Sequence, residues 1–468
     1  MTTHPPTLEQ SAILDAVAAT PTNLMIRAYA GCGKTSTLEL IDAAIPGPTL
    51  LVCFNKAIAA TAAKRFRTTT QVRTFNSLGH RIWAAAISSK VTFNPQKILE
   101  IFRSLVDEAP KSDRGELWAN WDSIRQGVDL ARALGYIPIG HAKAEKSLCT
   151  AYQVLDLLDE APTDLATYYI DTILTTSISQ SYRGIIDFAD QCYMPALFSG
   201  TYPRFPAVLV DEYQDLSPVN HEIVRKLTKS SRQIGVGDEA QAIYGFRGAT
   251  SSSMADATSR YAMDIYPLSV SFRCPSRIVS NVHWRVPDFK AFRVGGTVLH
   301  AKALAHDSAT ILCRNNAPLL ARAMTLLKLG RSVDVSGIDL AAKLLKTMAK
   351  LGPESMTSAQ TLSSIDNWEA AKLANDSKSA KDFAACMRVF ARQGTLDVAM
   401  AYAKHLFDQS GTVKFSTGHK AKGLEWDHVY HLDPQLLNSR GQDPNVRYVI
   451  DTRARESLTY LDSIDVPT

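Results

Sequence analysis

Ala28 to Thr37 reads AYAGCGKTST. Glycines at Gly31 and Gly33 let backbone N–H groups come close to phosphate oxygens, with Ala30, Cys32 and Ser36 completing the cradle. Lys34 would reach the β- and γ-phosphates of a nucleotide, and the Thr35 hydroxyl would ligate Mg²⁺. The usual pattern G-x-x-x-x-G-K-[ST] opens on glycine, whereas this chain has Ala28 there. The flanks supply the required context: the apolar run NLMIRAYA reads as a strand, and TSTLELIDAAI follows with helical spacing. A glycine-rich turn with an ordinary surface lysine is the alternative. The loop alone does not name a reaction, because kinases, motors and switches all use it.

A second set of reactive groups lies in AVLVDEYQD, where four apolar residues run into Asp211 and Glu212. Ligands of parallel sheets bind at the carboxyl ends of strands, so these acids are expected beside the phosphate loop. Asp211 can hold the Mg²⁺ that bridges the phosphates, and Glu212 can orient and deprotonate the attacking water. A lone D-E pair would read as a solvated strand end. The continuation through Gln214 and Asp215, and then VGDEAQAIYGFRGA, argues for the catalytic reading.

The elements that must position these groups alternate along the chain. Strand-length apolar runs TLLVCF, AVLVDEY, QIGVGD, SATILCR, VKFST and DHVYHL recur between helical patterns, which predicts parallel α/β architecture. Two stretches, 89–184 and 336–410, are rich in Ala, Leu, Lys and Asp with helical patterning, and read as helical insertions whose apolar stripes are packing faces. With 468 residues, 46% hydrophobic and 21% charged, at least two domains are expected. The formal charge of +5 permits a nucleic-acid partner without arguing for one. Seven scattered cysteines form no C-x-x-C pair, so neither a disulfide framework nor a zinc or iron–sulfur site is expected. The start MTTHPPTLEQ lacks signal-peptide character and no run is long enough to span a bilayer, which predicts a cytoplasmic protein without a membrane partner.

The motifs AGCGKT, VDEYQD, VGDEAQAIYGFRGA, STGHKAKGLEWDHVY and YVIDTRARESL, in this order, resemble the signatures of the UvrD/Rep/PcrA group of superfamily 1 DNA helicases. FNKAIAATAAKRF and TFNSLGHRI are more similar still to the F-box DNA helicase branch and to compact phage or bacterial relatives. The resemblance implies two RecA-like P-loop NTPase domains, parallel sheets flanked by helices, each carrying a helical insertion. The first would comprise 1–88 and 185–268 with insertion 89–184, the second 269–335 and 411–468 with a reduced insertion 336–410.

The resemblance also implies an ATP site served by both domains. Gln10 would read adenine, a task suited to an amide that donates and accepts together. Gln241 would sense the γ-phosphate, Phe272 would stack on the base, Glu425 would contact the ribose, and Arg273 and Arg453 would contact the γ-phosphate. Guanidinium suits that role through its permanent charge and planar fork. The implied single-stranded DNA track comprises Asn55, Lys56, Thr74, Phe75, Asn76, Tyr244, Phe246, Arg314, Asn316, Thr417 and His419, with phosphate contacts and base stacking largely indifferent to sequence. Phe54 immediately precedes Asn55, where many relatives place phenylalanine two before it, and is left out of that set.

The implied function is ATP-dependent 3′ to 5′ translocation and unwinding in DNA repair, recombination or replication, on single strands and single-strand/duplex junctions, with replication or repair proteins as candidate partners. A translocase that strips proteins without unwinding, and a nucleotide-switched DNA-binding module, are the alternatives. The short second insertion implies reduced self-inhibition, and the sequence ends soon after YVIDTRARESL, where no fused nuclease is expected.

Overall fold

A computed structural model describes residues 5–87, 90–141, 144–250 and 252–462, so the expected boundary at 88/89 lies outside the described residues. Contacts divide the chain into two compact units. One comprises Met1–Ala28 and Gly33–Leu268, the other Tyr29–Cys32 and Ser269–Thr468.

In the first unit six parallel strands run in the order Gln71–Thr74, Thr49–Cys53, Ala207–Val210, Arg232–Gly237, Leu24–Ala28, Asp264–Leu268. Every residue of Thr49–Cys53 and Ala207–Val210 is buried, as expected for strands covered on both faces. Parallel neighbours need crossover connections, so the strands' carboxyl ends gather along one edge. Asp211, Asp238 and the loop to Lys34 leave three neighbouring strands at that edge.

Helices Lys97–Glu108, Trp121–Leu134 and Asp164–Tyr182 of the same unit share a core of their own, built on Phe102, Ile124, Val128, Ile170 and Ile173. Their charged base is also buried. Lys97 Nζ donates to Asp190 (2.6 Å), Ser177 O and Ser181 Oγ (both 2.8 Å), while Arg132 pairs with Asp187 at 2.6 Å. Burial tends to lower the Lys97 pKa and raise that of Asp187, and each charge is tolerated because its partners are equally enclosed.

The second unit repeats the plan with six parallel strands in the order Thr297–Ala301, Ala454–Leu461, Trp426–Leu432, Ala309–Cys313, Val413–Thr417, Val333–Val335. Helices Ile338–Met348, Ser358–Ala374, Ala380–Ala391 and Leu396–Phe407 interrupt it. Unlike the helices of the first unit, these share the sheet's core among the described residues: Leu344, Met387, Phe390 and Leu406 belong to one cluster with Ile311 and Phe415 of the sheet. Among the described residues, no helix is long and apolar enough to cross a membrane.

Candidate nucleotide site and nucleic-acid surface

In the first unit Gly33 adopts φ +81° and opens the helix Lys34–Ala44, whose first turn carries no acid. That end offers unopposed N–H dipoles, the feature that receives phosphate. Lys34 Nζ lies 2.9 Å from Glu212 Oε2. The same oxygen accepts from Gln214 Nε2 at 2.7 Å, and Gln214 Oε1 accepts from the Asp238 N–H at 2.9 Å. Gln241 Nε2 donates to Asp238 Oδ2 at 2.6 Å. One chain of bonds thus joins the phosphate-loop lysine, Glu212 and the expected γ-phosphate sensor. Asp238 and Gln214 were not assigned roles from the sequence, although Asp238 ends a strand just as Asp211 does.

Electrostatics follow from this crowding. Burial, then Glu212, push the Asp211 carboxyl up to about 7, and burial raises Asp238 as well. Burial opposes the charge of Lys34, but Glu212, Asp238 and Asp211 outweigh it and its pKa is raised. The site therefore gathers Glu212, Asp211 and Asp238 around the Lys34 ammonium. Glu212 itself holds φ +51°, a left-handed conformation unusual for a residue with a Cβ and characteristic of constrained functional positions.

Gln10 is 6% exposed. Its Oε1 accepts from Thr7 N–H and its Nε2 donates to Thr37 Oγ1 on the phosphate-loop helix, both at 2.9 Å.

In the second unit Tyr29–Cys32, the first half of the loop, is bound to residues near Ser271. The Ala30 N–H donates to Tyr448 OH (3.0 Å), Ala30 O accepts from Ser271 Oγ (2.8 Å), and Gly31 O accepts from the Phe272 N–H (2.9 Å). The Ala30 N–H, expected in the cradle, is thus engaged by a tyrosine hydroxyl. Gly31, at φ +72°, has no room for a side chain: a Cβ would sit 2.4 Å from that of Arg273.

Arg273 Nε donates to Glu425, and Arg293 braces the Arg273 carbonyl at 2.7 Å. The Phe272 ring lies 4.9 Å from that of exposed Phe292. Arg453 is only 1% exposed, with Nε donating to Val449 O at 2.9 Å and one amino group to Leu424 O at 3.2 Å.

The residues expected on DNA divide sharply. Phe246 is 51% exposed and sits edge-on to Tyr244, with the Arg247 guanidinium 5.2 and 5.5 Å from the two rings. Phe54, left out from sequence, lies parallel to Tyr244 within 3° at 6.0 Å, so three rings and an arginine share one surface. Only the fold could reveal this.

Asn55 caps the helix Lys56–Ala63 through Ile58 N–H, leaving its amide donors and exposed Lys56 outward. Thr74 caps the helix Phe75–Ala86, and the Phe75 ring, 3% exposed, packs in the core. The apolar side of that helix faces inward, so any contact of Phe75 with DNA would be made by its backbone. Asn76 Nδ2 donates to Phe188 O at 2.7 Å. In the second unit Arg314 is held by Asp443 (3.0 Å) and Asn316 by Asp382 (3.1 Å), while Thr417 and His419 are half-buried at the short helix Gly418–Ala421.

A parallel sheet with a glycine-rich loop after one strand and paired acids after a near neighbour defines a P-loop, RecA-like fold. The chain matches the UvrD/REP helicase N-terminal domain over residues 144–262. It is 23% identical to F-box DNA helicase protein 1 of Schizosaccharomyces pombe in an alignment covering 98% of this chain and 57% of that protein. YjcD of Bacillus subtilis shares 36% identity over 103 residues, 20% of this chain and 13% of its own. DNA helicase II of Haemophilus influenzae shares 26% over 109 residues, 21% and 15% of the two chains. These matches, with the motif order, make the chain similar to the UvrD-like DNA helicases. It spans little more than half, or less, of the length of these relatives. Among solved structures, arterivirus nonstructural protein 10 (helicase) aligns over 97% of this chain and 62% of its own at 12% identity and TM-score 0.36; the fold assignment rests on the sheet topology instead.

Proposed function

We propose that the chain is an ATP-hydrolysing DNA helicase that translocates 3′ to 5′ on single-stranded DNA, loading at single-strand/duplex junctions in repair, recombination or replication. The observation that carries this reading is the bonded path Lys34, Glu212, Gln214, Asp238, Gln241. It links phosphate binding and water activation to the segment that continues into Tyr244 and Phe246. A plain phosphate-binding turn has no need of such a path.

In this mechanism ATP phosphates compete with Glu212 for Lys34, freeing the carboxylate to orient water and take its proton. Gln10 keeps a second amide hydrogen and a second lone pair for an adenine edge. Thr35 and Asp211 are hard oxygen donors that fit Mg²⁺, and the excess of buried acid around Lys34 favours a cation there. Mg²⁺ bound there would offset phosphate charge. Arg273 and Arg453 would stabilise charge developing on the γ-phosphate, with Phe272 and Glu425 contacting base and ribose.

Glu212→Gln is expected to keep ATP binding while slowing turnover by roughly a hundredfold or more, as loss of a general base does. Equilibrium nucleotide binding beside steady-state hydrolysis checks this, and failure to bind ATP would remove Glu212 from the role.

Single-stranded DNA should stimulate hydrolysis, less so as salt rises, because phosphate contacts release counterions. Phe246→Ala should remove much of the stimulation and leave basal ATPase intact, since one stacked base is worth about 1 to 3 kcal/mol. Unwinding of duplexes bearing a 3′ or a 5′ tail tests the direction. Efficient unwinding from a 5′ tail alone overturns the polarity, and DNA-independent ATPase with no unwinding overturns the helicase.

A further inference from the structure

We infer that His431, Asp451 and Tyr460 form a buried clamp that positions Arg453. The inference rests on Arg453 acting in ATP hydrolysis. His431 and Asp451 are both 0% exposed and Tyr460 is 5% exposed. His431 and Tyr460 are register partners on the neighbouring strands Trp426–Leu432 and Ala454–Leu461, so their side chains leave the sheet side by side. Both reach the same carboxylate on the helix Asp443–Asp451. His431 Nδ1 lies 2.7 Å from Asp451 Oδ1, and Tyr460 OH donates to Asp451 Oδ2 at 2.9 Å. Asn281 Nδ2 donates to Tyr460 OH at 2.7 Å, fixing the hydroxyl's direction. His431 Nε2 has no partner, so Nδ1 is the ring nitrogen that donates, aimed at Asp451.

Asp451 is the last residue of its helix, where the backbone dipole disfavours an acid. Two donors from two strands compensate for that position, with the Arg447 guanidinium 3.7 Å away adding a positive charge. What they hold in place is the final turn. Val449 O of that turn accepts Arg453 Nε, and Thr452 Oγ1, itself bonded to Tyr448 O at 2.7 Å, accepts from an Arg453 amino group at 3.3 Å. If the turn rotates, the guanidinium moves with it. His431, Asp451 and Tyr460 are therefore positioning residues, acting through the helix end rather than on substrate.

The test compares His431→Leu with His431→Asn, whose amide nitrogen overlays Nδ1 and restores the donor. His431→Leu should lower kcat for DNA-stimulated ATP hydrolysis roughly 10- to 100-fold with KM little changed, as misplacement of a reacting group does. His431→Asn should recover most of it. In an Arg453→Ala background His431→Leu should add nothing further. Tyr460→Phe, which removes one hydroxyl, should lower kcat in the same direction in protein that still folds, with a melting curve to establish this, and stands in if His431→Leu does not fold. Wild-type kcat in His431→Leu or, should that variant not fold, in Tyr460→Phe overturns the clamp while leaving the helicase reading intact. So does a loss in His431→Leu that adds fully to that of Arg453→Ala. A wild-type protein without ATPase overturns the helicase reading, and the clamp with it.

Discussion

Lys34→Ala is expected to abolish ATP hydrolysis. Its ammonium is placed among Glu212, Asp211 and Asp238, and those acids together hold its pKa above the ordinary lysine value. Removing it takes away the charge that offsets the β- and γ-phosphates in both ground and transition states. It also leaves three closely spaced carboxylates facing an incoming polyanion. Nucleotide affinity and turnover should therefore fall together, which separates this variant from Glu212→Gln. Steady-state hydrolysis with single-stranded DNA, alongside a melting curve to establish folding, measures it. Near-normal turnover in folded protein would refute the phosphate-loop assignment.

The second large effect concerns Arg453. Arg453→Ala should slow hydrolysis on the order of a thousandfold while changing ATP affinity far less, as expected of an arginine that mainly stabilises transition-state charge. Because Arg453 is buried and satisfies carbonyls of Val449 and Leu424, alanine also removes packing and leaves acceptors unpaired. Arg453→Lys is the companion variant: it keeps charge and most of the volume but loses the planar fork. Loss of kcat in both, with melting temperature preserved in the lysine variant, identifies chemistry rather than stability. Normal hydrolysis by either folded variant removes Arg453 from the motor.

What was legible in the sequence depended on where each element sits in its sheet. TLLVC and AVLV are flanked by strands on both sides and enclosed on both faces, so they appear as continuous apolar runs. The edge strands Gln71–Thr74, Asp264–Leu268, Thr297–Ala301 and Val333–Val335 escaped the same reading. Three of them expose most of their residues at least in part, and the fourth has only three residues. An edge strand needs no continuous apolar run to be held, because its pairing is set by a neighbour distant in sequence.

The phosphate loop, the acids after AVLV and the order of the motifs were determined by the sequence itself. Each depends on a short run whose residue types and spacing fit one task, and backbone geometry over a few residues is local. Tertiary structure alone decided which of these groups touch. It bonded Gln214 to both Glu212 and Asp238, laid Phe54 parallel to Tyr244, turned Phe75 into the core, and gathered His431, Asp451 and Tyr460 from two strands and a helix end. Those contacts join residues brought together by strand order and helix packing, and which face a side chain presents is set by long-range burial rather than by its neighbours in sequence.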